Sequence, residues 1–158
     1  MCGIVGLFNP HINHDQLLKK INIANNLQMH RGPDDKGLFE DKEVNFSQAM
    51  TRLSILGIQE NNQPIFSKDG RYCLVYNGEI INFKELKNYL ISKGIVFHRY
   101  NSDTEVLLEL LILLKENALE LLNGMFAFSF YDKKEKKILI ARDRFGIKPL
   151  YFFYNKGF

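Results

Sequence analysis

The chain has 158 residues, 46% apolar and 13% aromatic, with 13 Phe, 7 Tyr and no Trp. This is enough for one domain with a sizeable core and excludes a disordered or fibrous chain. Lys and Arg total 21 against 18 Asp and Glu, an excess too small to argue for nucleic acid or an anionic membrane as partner. Two cysteines, at 2 and 73, give no disulfide framework. No run reaches the roughly 18 apolar residues of a membrane span and no secretory signal opens the chain, so a cytoplasmic globular domain is expected.

The residues from 2 to 8, CGIVGLF, are apolar and β-leaning, and Asn9-Pro10 punctuates their end. Over 15–29, Leu17, Ile21, Ala24 and Leu27 recur at helical spacing and predict an amphipathic helix, broken by Arg31-Gly-Pro-Asp-Asp. Residues 37–66 read as short strands and loops. The stretch 72–76, YCLVY, predicts a buried strand running into Asn77-Gly78, a turn dipeptide. Asn82-Phe-Lys-Glu85 reads as a capping box opening a helix through Lys93, with Gly94 past its end. Ser102-Asp-Thr-Glu105 is a second such box, opening a helix to about Lys115 that is apolar nearly all round and so covered on several sides.

Segments 125–131 and 138–141 flank a charged tip, Asp132-Lys-Lys-Glu-Lys-Lys137, and predict a hairpin with a solvated turn. LYFFY at 150–154 predicts a further strand, with a turn at 155–157 and Phe158 beginning a returning strand. No repeat or linker divides the chain, so 1–158 is taken as one unit. The fold class expected is α+β, with sheets layered between helices to bury so many aromatics.

Cys2 follows the initiator Met. Methionine aminopeptidases accept a small second residue, and removal of Met1 places a thiol and an α-amine on one residue. An α-amine with a pKa of about 7.7–8.0 is partly neutral near pH 7 and can take the thiol proton. On position alone a small packed strand cysteine is the better explanation. Its neighbours shift the balance. Gly3 permits close approach of a substrate. Asn77 and Gly78 together offer an amide and a backbone N–H to an oxyanion, although taken alone an ordinary turn is the better explanation of them. Asp103 opens a helix, where a carboxylate serves either as a cap or as a ligand for an ammonium. Arg52 is either a solvated surface charge or a fork for a carboxylate.

Rival chemistries are poorly supported. The four His, at 11, 14, 30 and 98, lack metal-ligand spacing, and His11 and His14 read as a surface pair. Cys73 lies in an apolar strand and reads as an inert core thiol. There is no phosphate loop, dinucleotide fingerprint or serine elbow. Asn45-Phe-Ser47 has the pattern of a glycosylation acceptor, which matters only in secreted chains.

In order along the chain stand Met1-Cys-Gly-Ile-Val-Gly-Leu-Phe, His30-Arg-Gly-Pro-Asp34, Arg52-Leu-Ser-Ile55, Gln63-Pro64, Tyr76-Asn-Gly-Glu-Ile80, Ser102-Asp-Thr-Glu-Val106, Gly124-Met-Phe-Ala-Phe128 and Ala141-Arg-Asp-Arg-Phe-Gly-Ile-Lys-Pro-Leu-Tyr151. This series resembles the glutaminase domain of glutamine-hydrolysing asparagine synthetases, a class II glutamine amidotransferase. The resemblance implies the four-layer αββα sandwich of N-terminal nucleophile hydrolases. It implies that Cys2 attacks the glutamine side-chain amide to give a γ-glutamyl thioester, with Asn77 and Gly78 forming the oxyanion hole. Arg52 would hold the substrate α-carboxylate, and Asp103, helped by Glu79, its α-ammonium. Leu53 and Ile55, from the Arg52 motif, join the substrate-binding set.

The resemblance further implies no cofactor for the glutaminase half. ATP and Mg would belong to a C-terminal synthetase domain, for which this sequence carries no motif. Family members also continue past the last strand, so the domain is expected to be C-terminally incomplete. Thr51 stands where the family has His, and Ile81 where it has Tyr. Two other functions stay open at this stage: a non-enzymatic binding or regulatory module, with an aromatic edge at 150–154 that invites a homodimer, and an N-terminal nucleophile hydrolase acting on another amide.

Overall fold

A computed structural model describes residues 2–53, 62–98 and 102–154. Strand β1 (Gly3–Phe8) leads into helix α1 (His14–Leu27), which the Asn13 side chain caps by accepting from Gln16 N at 2.9 Å. The buried stripe of α1 is Leu17, Ile21 and Asn25, while Leu27 is 72% exposed. The apolar face is thus narrower than the sequence periodicity predicts, and a polar residue completes it: Asn25 Nδ2 donates to Met50 O at 3.4 Å. Strands β2 (Asp35–Asp41) and β3 (Phe46–Arg52) form a hairpin, and β1 joins it to make a three-stranded antiparallel sheet in the order β1-β3-β2.

The second sheet is antiparallel in the order β4-β5-β6-β7. Its strands are β4 (Ile65–Phe66), β5 (Tyr72–Ile80), β6 (Gly124–Asp132) and β7 (Lys137–Arg142). Helices α2 (Phe83–Ser92) and α3 (Asp103–Leu114) cover its outer face. Strand alternation separates the two faces. Leu74, Tyr76, Ile80, Phe126, Phe128 and Phe130 pack against Leu86, Leu90 and the α3 leucines in the main core. Cys73 and Tyr131 point the other way and meet Phe39 and Phe46 of the first sheet. Gln48 bridges the sheets, donating to Cys73 O at 3.2 Å and accepting from Ser129 Oγ at 2.7 Å. The layers therefore run α1, first sheet, second sheet, α2 and α3, which is the αββα sandwich expected.

Four local expectations change. Asn77-Gly78 is no turn: both residues lie inside β5, paired with Ala127 and Phe126 of β6. Asn82 precedes α2 but does not cap it. Its side chain donates to Leu121 O at 2.9 Å and accepts from Asn123 N at 3.0 Å, tying α2 to the start of β6. The charged tip is partly pinned. Lys136 Nζ reaches Asp41 at 2.8 Å and Glu43 at 2.7 Å, and Arg71 grips Asp132. Residues 150–154 form no strand, and Tyr151 is 93% exposed. The turn expected at 155–157 and Phe158 lie outside the described residues.

Candidate active site

Cys2 lies one step before the Gly3–Thr51 pair that begins the β1–β3 ladder, which places it beside Arg52 at the end of β3. Facing residues of an antiparallel pair share a side of the sheet. Phe46 and Gln48 of β3 face the second sheet, so Arg52, at the same parity, faces it as well. Thr51 has the opposite parity and points to α1, where its Oγ1 donates to Gln28 O at 3.1 Å. Cys2 is half-buried, and its carbonyl accepts from Arg31 Nε at 3.3 Å.

Arg52 is buried, and its Nη1 donates to Asn62 Oδ1 at 3.3 Å. Its backbone is clamped by the Arg31-Gly-Pro-Asp segment. Asp34 N donates to Arg52 O at 3.0 Å, and a Cβ on Gly32 would lie 2.6 Å from Arg52 N. A side chain at 32 would displace Arg52, which gives that glycine a packing reason.

Strand β5 brings the second wall. Asn77 has the parity of Cys73, so it faces the space between the sheets and is buried there. Glu79 has the same parity and is exposed. The backbone N–H groups of Tyr76, Gly78 and Ile80 all point to the edge of β5 away from β6, but β4 reaches only as far as Leu74. Side chains occupy the outer two. Tyr76 N donates to Gln63 Oε1 at 2.7 Å, and Ile80 N donates to Asp103 Oδ2 at 3.2 Å. Gly78 N–H lies between them, directed outward from the sheet edge, with no strand partner among the described residues.

Asp103 opens α3 behind the Ser102 cap, which accepts from Glu105 N at 3.2 Å. Its Oδ2 also accepts from Tyr76 Oη at 2.8 Å. Burial, then the charge and hydrogen bond of Asp103, push the Tyr76 phenol well above its ordinary range, and Glu79 and Cys2 add to the effect. Strands β1 and β3 both contact β5 across the space between the sheets. Leu53 follows β3 and is partly exposed. Ile55 lies outside the described residues. Ile81, next to the site in sequence, is exposed and bonds to Asn123 O through its N–H.

Several supporting residues carry no signal of their role in the sequence. Arg31, Asn62 and Gln63 act through contacts with distant segments. Asp143 is the clearest case. Its buried carboxylate accepts from the N–H groups of Phe126, Phe145, Ile147 and Lys148 at 2.9–3.2 Å, fixing the loop after β7 against β6. Burial opposes its ionisation, but these donors hold it below the usual carboxylate range. Cys73 is buried, and desolvation raises its thiol to about 12. It is an inert core thiol, as expected. Among the described residues no group of three His, Cys, Asp or Glu side chains is placed to hold a metal.

The model of the glutamine amidotransferase domain family matches residues 1–158. Asparagine synthetase [glutamine-hydrolyzing] 1 of Bacillus subtilis is 43% identical, covering 96% of this chain and 24% of its own length. Asparagine synthetase B of Escherichia coli is 35% identical, covering 99% of this chain and 27% of its own. The chain thus spans about a quarter of the length of the curated relatives it matches. Among solved structures, the glutamine phosphoribosylpyrophosphate amidotransferase of B. subtilis superimposes with a TM-score of 0.60 at 24% identity, over 90% of this chain and 36% of that one. That likeness supports the αββα fold. With the family model matched from end to end and the motifs gathered at one end of the sandwich, the chain belongs to the glutamine amidotransferase domain family.

Proposed function

We propose that this chain hydrolyses L-glutamine through Cys2. The observation that carries the proposal is the edge of β5, where Gly78 N–H has no partner among the described residues and stands between two capped neighbours, beside the buried Asn77. Such donors, fixed before the reaction, stabilise charge that develops only in the transition state, and each is worth roughly 3–4 kcal/mol.

After loss of Met1 the Cys2 α-amine takes the thiol proton. The sulfur attacks the side-chain amide carbon, and the carbonyl oxygen becomes an oxyanion held by Gly78 N–H and Asn77 Nδ2. The C–N bond then breaks, and the proton held by the amine goes to the leaving nitrogen as ammonia departs. A γ-glutamyl thioester remains. Water adds to it, the C–S bond breaks, glutamate leaves and the thiol regains its proton. Arg52 takes the substrate α-carboxylate and Asp103, aided by Glu79, its α-ammonium. A zwitterion requires this pair of opposite charges.

Residues 1–158 act as the glutaminase unit, and the steps above use only groups of this chain. The curated relatives are named as glutamine-hydrolysing asparagine synthetases, and in the wider setting we propose, the ammonia feeds an ATP-dependent amidation in a synthetase domain. ATP and Mg would serve that step. Ammonia release from glutamine tests the proposal. Chain lacking Met1 should release it, and Cys2→Ala should not. Equal release by both, or none by the processed chain, would overturn it.

A further inference from the structure

Tyr76 is 2% exposed, and its ring is locked in the main core. Its backbone N–H is held by Gln63, and its hydroxyl donates to Asp103 Oδ2 at 2.8 Å. The same oxygen accepts from Ile80 N at 3.2 Å. Asp103 Oδ1 meets only the neighbouring Thr104 hydroxyl among the described residues, at a long 3.4 Å. The two carboxylate oxygens therefore have different tasks. Two rigid donors saturate Oδ2, while Oδ1 keeps acceptor capacity among the described residues, and Asp103 as a whole is half-buried. Both rigid donors are neutral, so the full negative charge remains for a cation.

We propose that Tyr76 is a positioning residue for amino-acid recognition: by holding Asp103 Oδ2 it aims Oδ1 at the substrate α-ammonium and so sets the preference for glutamine over its des-amino analogue. This rests on the glutaminase function above. A carboxylate held by one backbone N–H alone would swing about its last torsion, and the ammonium would meet a diffuse acceptor.

Tyr76→Phe removes one oxygen and keeps the ring. The test compares L-glutamine with 4-carbamoylbutanoate, which has the amide and the carboxylate but no ammonium. Tyr76→Phe should raise KM for glutamine about 10-fold, the scale of one hydrogen bond to a charged group, with kcat changed less than about threefold. KM for 4-carbamoylbutanoate should stay put, so the preference collapses. Asp103→Asn should lose the same preference and gives a second route to the answer if Tyr76→Phe does not fold. An unchanged preference in either variant would overturn the proposal. So would an equal loss on both substrates in Tyr76→Phe, which marks a merely structural role. A wild-type chain inactive on glutamine would instead overturn the glutaminase reading, and this proposal with it.

Discussion

Gly78 stands opposite Phe126 across the β5–β6 ladder with no room for a methyl group between them. A Cβ on Gly78 would run into the Met125 carbonyl oxygen and lie 2.7 Å from Phe126 Cα. Strand β6 cannot retreat, because Phe126 is bonded on its far side to Asp143, through Asp143 N to Phe126 O at 2.8 Å and Phe126 N to Asp143 Oδ2 at 3.2 Å. Gly78→Ala must therefore shift β5 and the N–H proposed for the oxyanion. We expect a destabilisation of about 1–3 kcal/mol, as for other overpacked sites, and a fall in kcat of roughly 10²-fold. Denaturant unfolding and steady-state kinetics check the two effects separately.

His14 ties the loop after β1 to the β2–β3 hairpin. Its Nδ1 meets Asn45 Oδ1 at 3.0 Å and its Nε2 meets Glu40 Oε2 at 2.8 Å, so two acceptors favour the doubly protonated ring. The Glu40 hydrogen bond, then that of Asn45, raises the His14 pKa, and the same contact with His14 lowers that of Glu40. A raised folded pKa gives stability that is complete below the unfolded value and is lost as pH rises through the folded one. The Glu40 contribution is lost in the opposite direction, as pH falls through its lowered pKa. The wild type should therefore exceed His14→Gln in melting temperature most below the ordinary imidazole value of about 6.5, with the gap narrowing as pH rises through the raised folded value. A gap independent of pH would contradict this. This clasp also departs from the surface His11–His14 pair expected from sequence: His11 bonds instead through its N–H to Asn9 Oδ1.

The hairpin tip should fail in acid. Arg71 Nε and Nη2 grip the two Asp132 oxygens at 2.8 and 2.6 Å, and Lys134 N and Glu135 N add to Oδ1. The Arg71 hydrogen bonds, against the cost of burial, hold Asp132 at about 2 in place of 3.8. A lowered folded pKa gives stability present above the unfolded value and lost as pH falls toward the folded one. The gap is about 2 kcal/mol by linkage. Asp132→Asn should remove it near neutrality, with the wild-type advantage vanishing between about pH 4 and pH 2. Denaturant midpoints across that range are the check.

Elements whose signals are local were legible in the sequence. The first helix, expected over 15–29 and found at His14–Leu27, the Ser102 cap and the β6–β7 hairpin follow from spacing and capping chemistry. The errors lie where a distant partner decides. Asn77-Gly78 has turn chemistry, yet pairing with β6 extends the strand through it. Asn82 has cap chemistry, yet Leu121 and Asn123 take its side chain. In the proposed site, Cys2, Arg52, Asn77, Gly78 and Asp103 are the residues that residue type and motif single out. Tyr76, Gln63 and Asp143 were not identifiable by role, because each acts through a contact from another part of the chain.

The central claim is that Cys2 is the nucleophile. The most direct measurement is mass spectrometry of folded chain, its loss of Met1 confirmed by intact mass, after exposure to a diazo-ketone analogue of glutamine. The buried Cys73, with its thiol raised to about 12, serves as the internal control. The account predicts one adduct per chain, mapped to Cys2, blocked by glutamine and absent in Cys2→Ala. No adduct, or an adduct on Cys73 with Cys2 unmodified, would contradict it.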